Sequence, residues 1–213
     1  APAPTDYRKT ILYNTYDVTP QLQKENAIGV TLGNGRFYTM RQNYKPYKIP
    51  TFGYPKLRLN LIVEYTDGSK ETIATNTSWK LTTEGAIRSN NEYDGEEYDA
   101  RKELKGWNTL SFDDSAWKTA DVMKEPGGKL TAQPNPNLAV QDTDVPVNVI
   151  ARSDGKFILD MGQNMVGWLG VKLKGKNNQP ITFRFSEILN PDTTLYVANL
   201  RSAKVTDVYT PAA

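Results

Sequence analysis

The sequence contains neither cysteine nor histidine among its 213 residues. These absences exclude disulfide frameworks, thiol and Ser-His-Asp catalysis, and zinc sites built from the usual Cys and His ligands. Long hydrophobic runs are also missing, since no stretch approaches the roughly 20 apolar residues that span a bilayer. The N-terminal APAPTDYRKT has neither the basic nor the apolar region of a signal peptide. The sequence therefore predicts a soluble chain whose chemistry would use carboxylates, Lys, Tyr or hard metals held by oxygen.

The chain also has no excess of one charge sign, because 26 Lys and Arg nearly cancel 24 Asp and Glu. The basic residues are spread along the chain and form no stripe, so we expect no nucleic-acid partner. The length is sufficient for one large β domain or two smaller ones.

Strand signals dominate the sequence. Apolar and polar residues alternate from Leu57 to Tyr65, and Asp67-Gly68 then supplies the turn of a tight hairpin. The same kind of pattern predicts further strands at residues 28–32, 157–159, 169–173 and 181–185.

The Pro- and Gly-rich segment KEPGGKLTAQPNPN, residues 124–137, interrupts the strand pattern. Its composition is that of a linker or a long crossover loop, so we place a domain boundary within it. The sequence thus predicts an all-β protein with a first domain at residues 1–126 and a second at residues 127–213. Short helical turns are expected only where Asp17, or Asp114 with Ser115, offers a cap.

Residues 90–101, NNEYDGEEYDAR, are called the acidic stretch because they hold five of the 24 acidic residues. Carboxylates this close repel each other unless a cation, a hydrogen-bond donor or water compensates them. The first half has the spacing of a calcium loop, but position twelve, where an EF-hand has Glu, is Arg101. An EF-hand is therefore excluded. Two interpretations remain: an oxygen-ligand calcium site, or a polar strand edge whose carboxylates are neutralised by Arg88 and Arg101.

Two other kinds of site are not expected. A glycosidase acid pair within the acidic stretch is disfavoured, because neighbours on one strand point to opposite faces or are too exposed for a raised pKa. The run GVTLGNGR lacks the third glycine of a dinucleotide-binding loop. We predict instead that Asn34-Gly35 forms a turn between two strands.

The 12 Tyr and 4 Trp are a second feature that suggests carbohydrate binding, because the C–H face of a sugar stacks on aromatic rings. In a β-rich protein a Trp more often covers a sheet, so core positions are predicted for Trp79, Trp107, Trp117 and Trp168. Better candidates for exposure are Tyr38, Tyr44, Tyr47 and Tyr54. Two further tyrosines, Tyr93 and Tyr98, lie inside the acidic stretch.

Several longer motifs occur in one order along the chain: YNTYDVT, NAIGVTLGNGRFY, EGAIRSNNEYDGEEYDAR, GWNTLSFDDSAWKTA, FILDMGQNMVGWLGVKL, FRFSEILNPD and LRSAKVTDVYT. Together they resemble the N-terminal region of bacterial α-L-rhamnosidases, the inverting glycoside hydrolases of family 78. The resemblance covers nearly the whole chain.

The resemblance implies two β-sandwich domains in tandem, of which the first is similar to a jelly-roll, galactose-binding-like carbohydrate-binding module. The second resembles the sandwich that precedes a catalytic (α/α)6 barrel in this family. That barrel carries the general acid and base and is absent from these residues, so no catalytic residue is carried over and the chain alone is expected to be inactive. Compared with the family, both ends look truncated. A periplasmic or extracellular location is inferred from the family.

Some related modules bind rhamnose through a calcium ion held by acidic and amide oxygens. The resemblance therefore implies sugar-binding residues at Asn90, Asn91, Tyr93 and Tyr98, with calcium ligands at Asp94 and Glu96. The alternative is a structural role, in which Asp99 and Arg101 form a buried ion pair that holds a corner of the jelly roll.

The function implied by the resemblance is support of the hydrolysis of terminal α-L-rhamnose from glycosides or polysaccharides. The chain would provide it either by calcium-dependent rhamnose binding or as a structural scaffold for the catalytic barrel. Its expected partners are a rhamnose-containing glycan and the remainder of a rhamnosidase chain, with no nucleic acid and no membrane.

Overall fold

The computed structural model describes residues 2–38, 51–172 and 178–212. Within these ranges the regular structure consists of short strands and single-turn 3-10 helices, which confirms the all-β class. The strands are β1 (Thr10–Tyr13), β2 (Asn60–Glu64), β3 (Lys70–Ala74), β4 (Lys80–Leu81), β5 (Ile87–Asn91), β6 (Gly95–Asp99), β7 (Lys118–Thr119), β8 (Lys129–Ala132), β9 (Asn148–Ala151), β10 (Phe157–Asp160), β11 (Ile181–Arg184) and β12 (Thr206–Thr210). The 3-10 helices are η1 (Thr19–Gln21), η2 (Ala100–Lys102) and η3 (Ala198–Leu200). No helix in the described ranges is long and apolar enough to cross a membrane.

The largest sheet has four strands in the order β11-β12-β6-β5. β12 runs parallel to β6, with Tyr209 opposite Tyr98, while the two outer pairs are antiparallel. The remaining described strands pair two by two: β1 with β8 in parallel, and β2 with β3, β4 with β7 and β9 with β10 in antiparallel. The central sheet therefore joins strands that are more than a hundred residues apart in the chain.

Two strand pairs cross the expected domain boundary at residue 126. β1 pairs with β8, which begins at Lys129, and β6 pairs with β12. The halves of the chain are thus connected by backbone hydrogen bonds, and the position of the boundary stays a prediction.

The hairpin and two other strand predictions are confirmed. β2 begins at Asn60, three residues later than the alternating pattern, and pairs with β3. The turn uses Gly68 at φ 82°, and Asp67 Oδ1 accepts a hydrogen bond from the backbone N–H of Ser69 at 2.9 Å. β10 and β11 occupy the strand positions predicted at 157–159 and 181–185.

The strand predicted at residues 28–32 is wrong. The segment forms no strand ladder. Gly29 in this segment lies against the indole of Trp107, where an added Cβ would come within 2.5 Å of a ring carbon. The turn predicted at Asn34-Gly35 begins one residue later, with the N–H of Tyr38 donating to the carbonyl of Gly35 at 3.0 Å. Since no strand flanks it in the described part, the expected hairpin is also wrong.

Residues 169–172 likewise form no strand. Gly170 lies between Leu169 and Val171, and a glycine in a strand interior costs backbone entropy without adding side-chain contact. Leu173, Tyr44 and Tyr47, which were part of the sequence-based predictions, lie outside the described residues.

Of the two expected helical turns, one forms. Asp17 Oδ1 accepts from the N–H of Thr19 at 2.9 Å, and η1 follows. At the second place, Asp113 accepts from the N–H of Ser115 at 2.9 Å, and the N–H of Trp117 donates to the carbonyl of Asp114. The result is a turn without a helix.

The tryptophans divide into two groups. Trp107 and Trp117 stack with ring centroids 6.5 Å apart, and both are half-buried, as is Trp79. Trp168 is 76% exposed, so its predicted core position is wrong. Among the tyrosines predicted to be exposed, Tyr54 is also 76% exposed, whereas Tyr38 stacks on it at 5.2 Å and is half-buried.

Much apolar surface faces solvent. The accessible area of the chain is 16980 Å², whereas a compact monomer of this mass exposes roughly 10,000 Å². In the described ranges Ala100, at 7% exposure, is the one apolar residue that is nearly fully buried. The sheets therefore present apolar side chains that this chain itself leaves uncovered.

The contact between β6 and β12 gives a prediction about Gly95. This residue has φ 98°, and an added Cβ would overlap the carbonyl oxygen of Thr206 and lie 2.7 Å from Asp207 Oδ1. We expect Gly95→Ala to lower the free energy of unfolding in urea by roughly 3 kcal/mol, from positive-φ strain and overlap together.

Gly68→Ala is the matched control, because Gly68 also has positive φ but no atom within 4 Å of the added Cβ. It should cost only about 1 kcal/mol of backbone strain. Equal losses in the two variants would contradict a close approach of β12 to Gly95.

Candidate functional site

The acidic stretch forms a hairpin whose two arms belong to the four-stranded sheet. Its first two residues end β5, residues 92–94 make the turn, and β6 begins at Gly95. Across the pair Asn90 lies opposite Glu96, and Asn91 lies opposite Gly95. The last residues continue into η2. Neighbouring carboxylates are thereby directed to different parts of the protein.

Asn91 closes the turn of the hairpin. Its Oδ1 accepts hydrogen bonds from the backbone N–H groups of Tyr93 at 2.9 Å and Asp94 at 2.8 Å. Its Nδ2 donates to Asp94 Oδ2 at 3.1 Å. Asparagine is suited to this position because its side chain can satisfy the backbone of the two or three residues that follow.

Two aspartates attach this turn to β12 and the residues before it. Asp94 Oδ1 accepts from the N–H of Lys204 at 3.3 Å, and Asp207 Oδ1 accepts from the N–H of Glu96 at 2.8 Å. The carbonyls of Tyr93 and Asp94 accept from the next two N–H groups of the approaching segment, at 3.1 and 3.0 Å. Hydrogen bonds from N–H groups to ionised carboxylates are stronger than bonds between neutral groups, so these carboxylates reinforce the strand pair.

Asn90 connects Glu96 to the loop that contains Gly33 and Asn34. Its Oδ1 accepts from the N–H of Asn34 at 2.9 Å, and its side chain also hydrogen-bonds to Glu96. Gly33 allows this approach, since an added Cβ would lie 3.0 Å from Asn90 Nδ2. Burial raises the pKa of Glu96, the hydrogen bond from Asn90 opposes that rise, and the negative charge of Asp207 adds to it.

Glu92 and Tyr93 both contact Arg36. The guanidinium Nε lies 2.9 Å from Glu92 Oε1, and both side chains are 38% exposed. The same guanidinium lies over the ring of Tyr93, 5.8 Å from its centroid. Arg88, which was expected to neutralise the acidic stretch, instead contacts Glu84 at 4.0 Å.

Asp99 and Arg101 form the predicted ion pair. Arg101 Nε and one terminal nitrogen each lie 2.7 Å from a different oxygen of Asp99, and the N–H of Arg101 also donates to Asp99 Oδ1 at 3.0 Å. Asp99 is mostly buried, at 14% side-chain exposure, but Arg101 is 48% exposed. The pair is therefore a half-exposed cap of η2. The hydrogen bonds from Arg101 lower the pKa of Asp99 to about 2.

Tyr98 is engaged within the protein. Its ring stacks on Tyr209 of β12 at 5.8 Å between centroids, and its hydroxyl donates to Glu103 Oε1 at 2.8 Å. Burial and the hydrogen bond to the Glu103 carboxylate raise the pKa of Tyr98 to about 12. One face of the ring is therefore covered by Tyr209.

The acidic stretch contains hard oxygen donors, which calcium prefers. No group of three or more Asp, Glu, His or Cys that could hold a metal ion occurs in residues 2–38, 51–172 and 178–212. Both lone pairs of Asn91 Oδ1 accept backbone N–H groups, whereas Asn90 Oδ1 accepts only one. Asn90 Oδ1 and Asp207 Oδ1 are likewise engaged, since each accepts a backbone N–H group. The assignment of Asp94 and Glu96 as ligands stays a prediction.

Three contributors to this region were not predicted from the sequence: Asn34, Arg36 and Asp207. The first two lie in LGNGR, which was interpreted only as a turn. Asp207 is 111 residues from its partner Glu96, and no local pattern marks such a contact.

Comparison with protein families gives two matches. The model of the α-L-rhamnosidase N-terminal domain matches residues 1–142, and the model of the bacterial α-L-rhamnosidase concanavalin-like domain matches residues 150–212. The first match ends at residue 142 and the second begins at residue 150.

Individual proteins agree with these matches. The chain is 36% identical to an α-L-rhamnosidase of Streptomyces avermitilis over 233 residues, covering 99% of the chain and 20% of the relative. It is 38% identical to an α-L-rhamnosidase of Formosa agariphila over 220 residues, covering 99% of the chain and 23% of the relative. The chain thus spans about a fifth of the length of these relatives.

Solved structures show the same fold. An α-L-rhamnosidase from Dictyoglumus thermophilum superposes with a TM-score of 0.85 at 36% identity, covering 100% of this chain and 23% of that protein. The Streptomyces avermitilis enzyme complexed with L-rhamnose gives a TM-score of 0.83 at 34% identity, with 99% and 20% coverage. These similarities support the predicted tandem of β-sandwich domains.

The Asp99–Arg101 pair gives a prediction about acid stability. Because the pKa of Asp99 is lowered from 3.8 to about 2 on folding, its stabilising effect is complete above pH 3.8 and is lost as the pH falls through about 2. We expect Asp99→Asn to unfold at lower urea concentration than the parent at neutral pH, with the difference shrinking towards pH 2.

Glu97→Gln is the control, since Glu97 lies two residues earlier on the same strand and is exposed. It should leave the urea midpoint nearly unchanged over the same pH range. A difference between Asp99→Asn and the parent that stays constant down to pH 2 would mean that the Asp99 charge is not what stabilises η2.

Proposed function

Because the chain belongs to the α-L-rhamnosidase family, we propose that it is the non-catalytic β-sandwich region of an α-L-rhamnosidase. In this role it supports the hydrolysis of terminal α-L-rhamnose from glycosides or polysaccharides by a longer polypeptide. The observation that carries the proposal is the match of residues 1–142 and 150–212 to two non-catalytic domain families of α-L-rhamnosidases. The accessible area of 16980 Å² agrees with it, because apolar sheet faces remain for other parts of such a polypeptide to cover. The relatives extend well beyond the matched region, in agreement with this proposal.

The geometry of the acidic stretch favours a scaffold as the mode of support. Glu92 pairs with Arg36, Asp94 accepts from the backbone of Lys204, and Asp99 caps η2. Carboxylates bound in this way hold segments of the chain together, and they are poorly placed to act on a substrate. The general acid and base would then belong to another part of the polypeptide.

Calcium-dependent rhamnose binding is the second candidate. It is favoured by Glu96, whose pKa is raised by burial and by the charge of Asp207, because a cation beside these two carboxylates would relieve their repulsion. The solved Streptomyces avermitilis relative is complexed with L-rhamnose. In this alternative Asp94 and Glu96 would hold the cation. The side-chain amides of Asn90 and Asn91 would contact the sugar, and Tyr93 or Tyr98 would lie beside it.

The partners follow from the same proposal. They are a rhamnose-containing glycan and the remainder of the rhamnosidase chain with its catalytic barrel. We propose a periplasmic or extracellular location, where a rhamnose-containing glycan would be accessible.

We expect the chain alone to release no product from an aryl α-L-rhamnoside. The reason is that its carboxylates serve structural contacts, and the assay is absorbance of the released aryl alcohol. The Glu96→Gln variant should give the same null result. Product release by the parent that Glu96→Gln abolishes would place catalysis in the acidic stretch and contradict the proposal.

The scaffold and the calcium site are distinguished by amide NMR spectra titrated with L-rhamnose, once with calcium and once with EDTA. A scaffold predicts no saturable shift of residues 90–99 in either condition. Saturable shifts in calcium alone would overturn it in favour of the second candidate. They should then be lost in Glu96→Gln and kept in Glu84→Gln, which removes an exposed carboxylate outside the acidic stretch.

A further inference from the structure

A polar cleft lies at the carboxyl ends of β1 and β8. Because these strands are parallel, the residues that follow each of them emerge at the same edge of the pair. The cleft has a volume of about 300 Å³, within the range of small-ligand sites. We call it the amide cleft, after Asn14, Gln133, Asn135 and Asn137, which line it together with Tyr13.

The side-chain amides of the cleft are fixed by one another. Asn137 Oδ1 accepts from Asn14 Nδ2 at 2.8 Å and from Gln133 Nε2 at 3.0 Å. Gln133 Nε2 also donates to the carbonyl of Asn135 at 2.9 Å, while Gln133 Oε1 accepts from the N–H of Ala3 at 2.7 Å. These bonds fix which end of each amide is the donor, so the cleft is ordered before any ligand enters.

The adjacent hydroxyl of Tyr16 is oriented in the same way. It accepts from Asn14 Nδ2 at 3.3 Å and from Asn137 Nδ2 at 3.4 Å, so its own proton remains available to donate. Within the described ranges, Asn14 Oδ1 and the second N–H of Asn137 Nδ2 have no hydrogen-bond partner. The cleft therefore offers at least two donors and one acceptor next to each other.

This combination matches a sugar better than an ion. No residue lining the cleft is charged, which disfavours phosphates, carboxylates and metal ions as ligands. Neighbouring sugar hydroxyls act as donor and acceptor together, and amide groups complement both functions. Tyr13 adds an aromatic ring that is 45% exposed at the cleft, suited to the apolar face of a pyranose.

We propose that the amide cleft binds one ring of a neutral sugar, stacked on Tyr13 and hydrogen-bonded to Asn14, Asn137 and Tyr16. The site is separate from the acidic stretch and uses no carboxylate, so binding requires no calcium. It gives the chain a contact with glycan even if the acidic stretch is wholly structural.

The test is an NMR titration of the chain in EDTA with L-rhamnose and with D-galactose, observing the side-chain NH2 signals of Asn and Gln. The expected result is a saturable shift of the Asn14, Gln133 and Asn137 signals with at least one of the two sugars. Tyr13→Ala should weaken this binding about fivefold or more, the loss expected for one aromatic contact. The charged sugar D-galacturonate should bind more weakly than its neutral counterpart D-galactose.

Tyr65→Ala is the control, since Tyr65 is 47% exposed and remote from the cleft in the strand pairing. It should leave the sugar affinity unchanged. As a second measurement, calorimetry on the longer rhamnosidase polypeptide in EDTA should show a sugar site whose affinity is about fivefold weaker in Tyr13→Ala than in the parent.

Two outcomes would overturn the proposal. One is that neither neutral sugar gives a saturable shift, while Asn14→Ala still lowers the urea midpoint. The amide cluster would then be only a structural link between β1 and residues 133–137. The other is a Tyr13→Ala variant of the longer polypeptide whose sugar affinities in EDTA all equal those of the parent. Because both measurements use EDTA, a failure here is distinguishable from a failure of the calcium-dependent site.

Discussion

The parallel pairing of β6 with β12 is the contact on which the rest of the structure depends. It closes a loop of about a hundred residues, and such a closure has an entropic cost that a few backbone hydrogen bonds barely offset. Asp94 and Asp207 add charge-assisted bonds to the backbone of the opposite segment. Gly95 lets the two backbones approach, because any side chain there would meet the Thr206 carbonyl. Carboxylates near residue 95 thus take part in the contact between the two segments.

The same arrangement explains how five carboxylates are tolerated within twelve residues. Each strand sends alternate side chains to opposite faces, and the turn directs others towards β12. Glu92 is then compensated by Arg36 and Asp99 by Arg101. Asp94 accepts from N–H groups, and Glu97 is exposed to solvent. Glu96 is the exception, because burial and Asp207 destabilise its ionised form.

The elements predictable from the sequence were those decided by short-range chemistry. The β2–β3 hairpin follows from alternation and a turn glycine, and the bond from the N–H of Thr19 to Asp17 is a local Asx turn. Residues 28–32 have the same alternation but contact Trp107 and form no ladder. Within the acidic stretch the Asp99–Arg101 pair was foreseeable because its members are two residues apart. Asp207 was not, since a strand's partner is chosen by the whole fold.

Sheet size is a further constraint on what this chain does. An isolated two-stranded sheet is marginally stable in water, and most of the described sheets have only two strands. Their apolar side chains, such as Phe157 and Val149 on the β9–β10 pair, are more than half exposed. Under the proposed function, we expect such a fold to gain further stability where another part of the polypeptide covers these side chains. This requirement agrees with the proposed scaffold role, because a region that leaves its own sheet faces exposed is suited to pack against other domains.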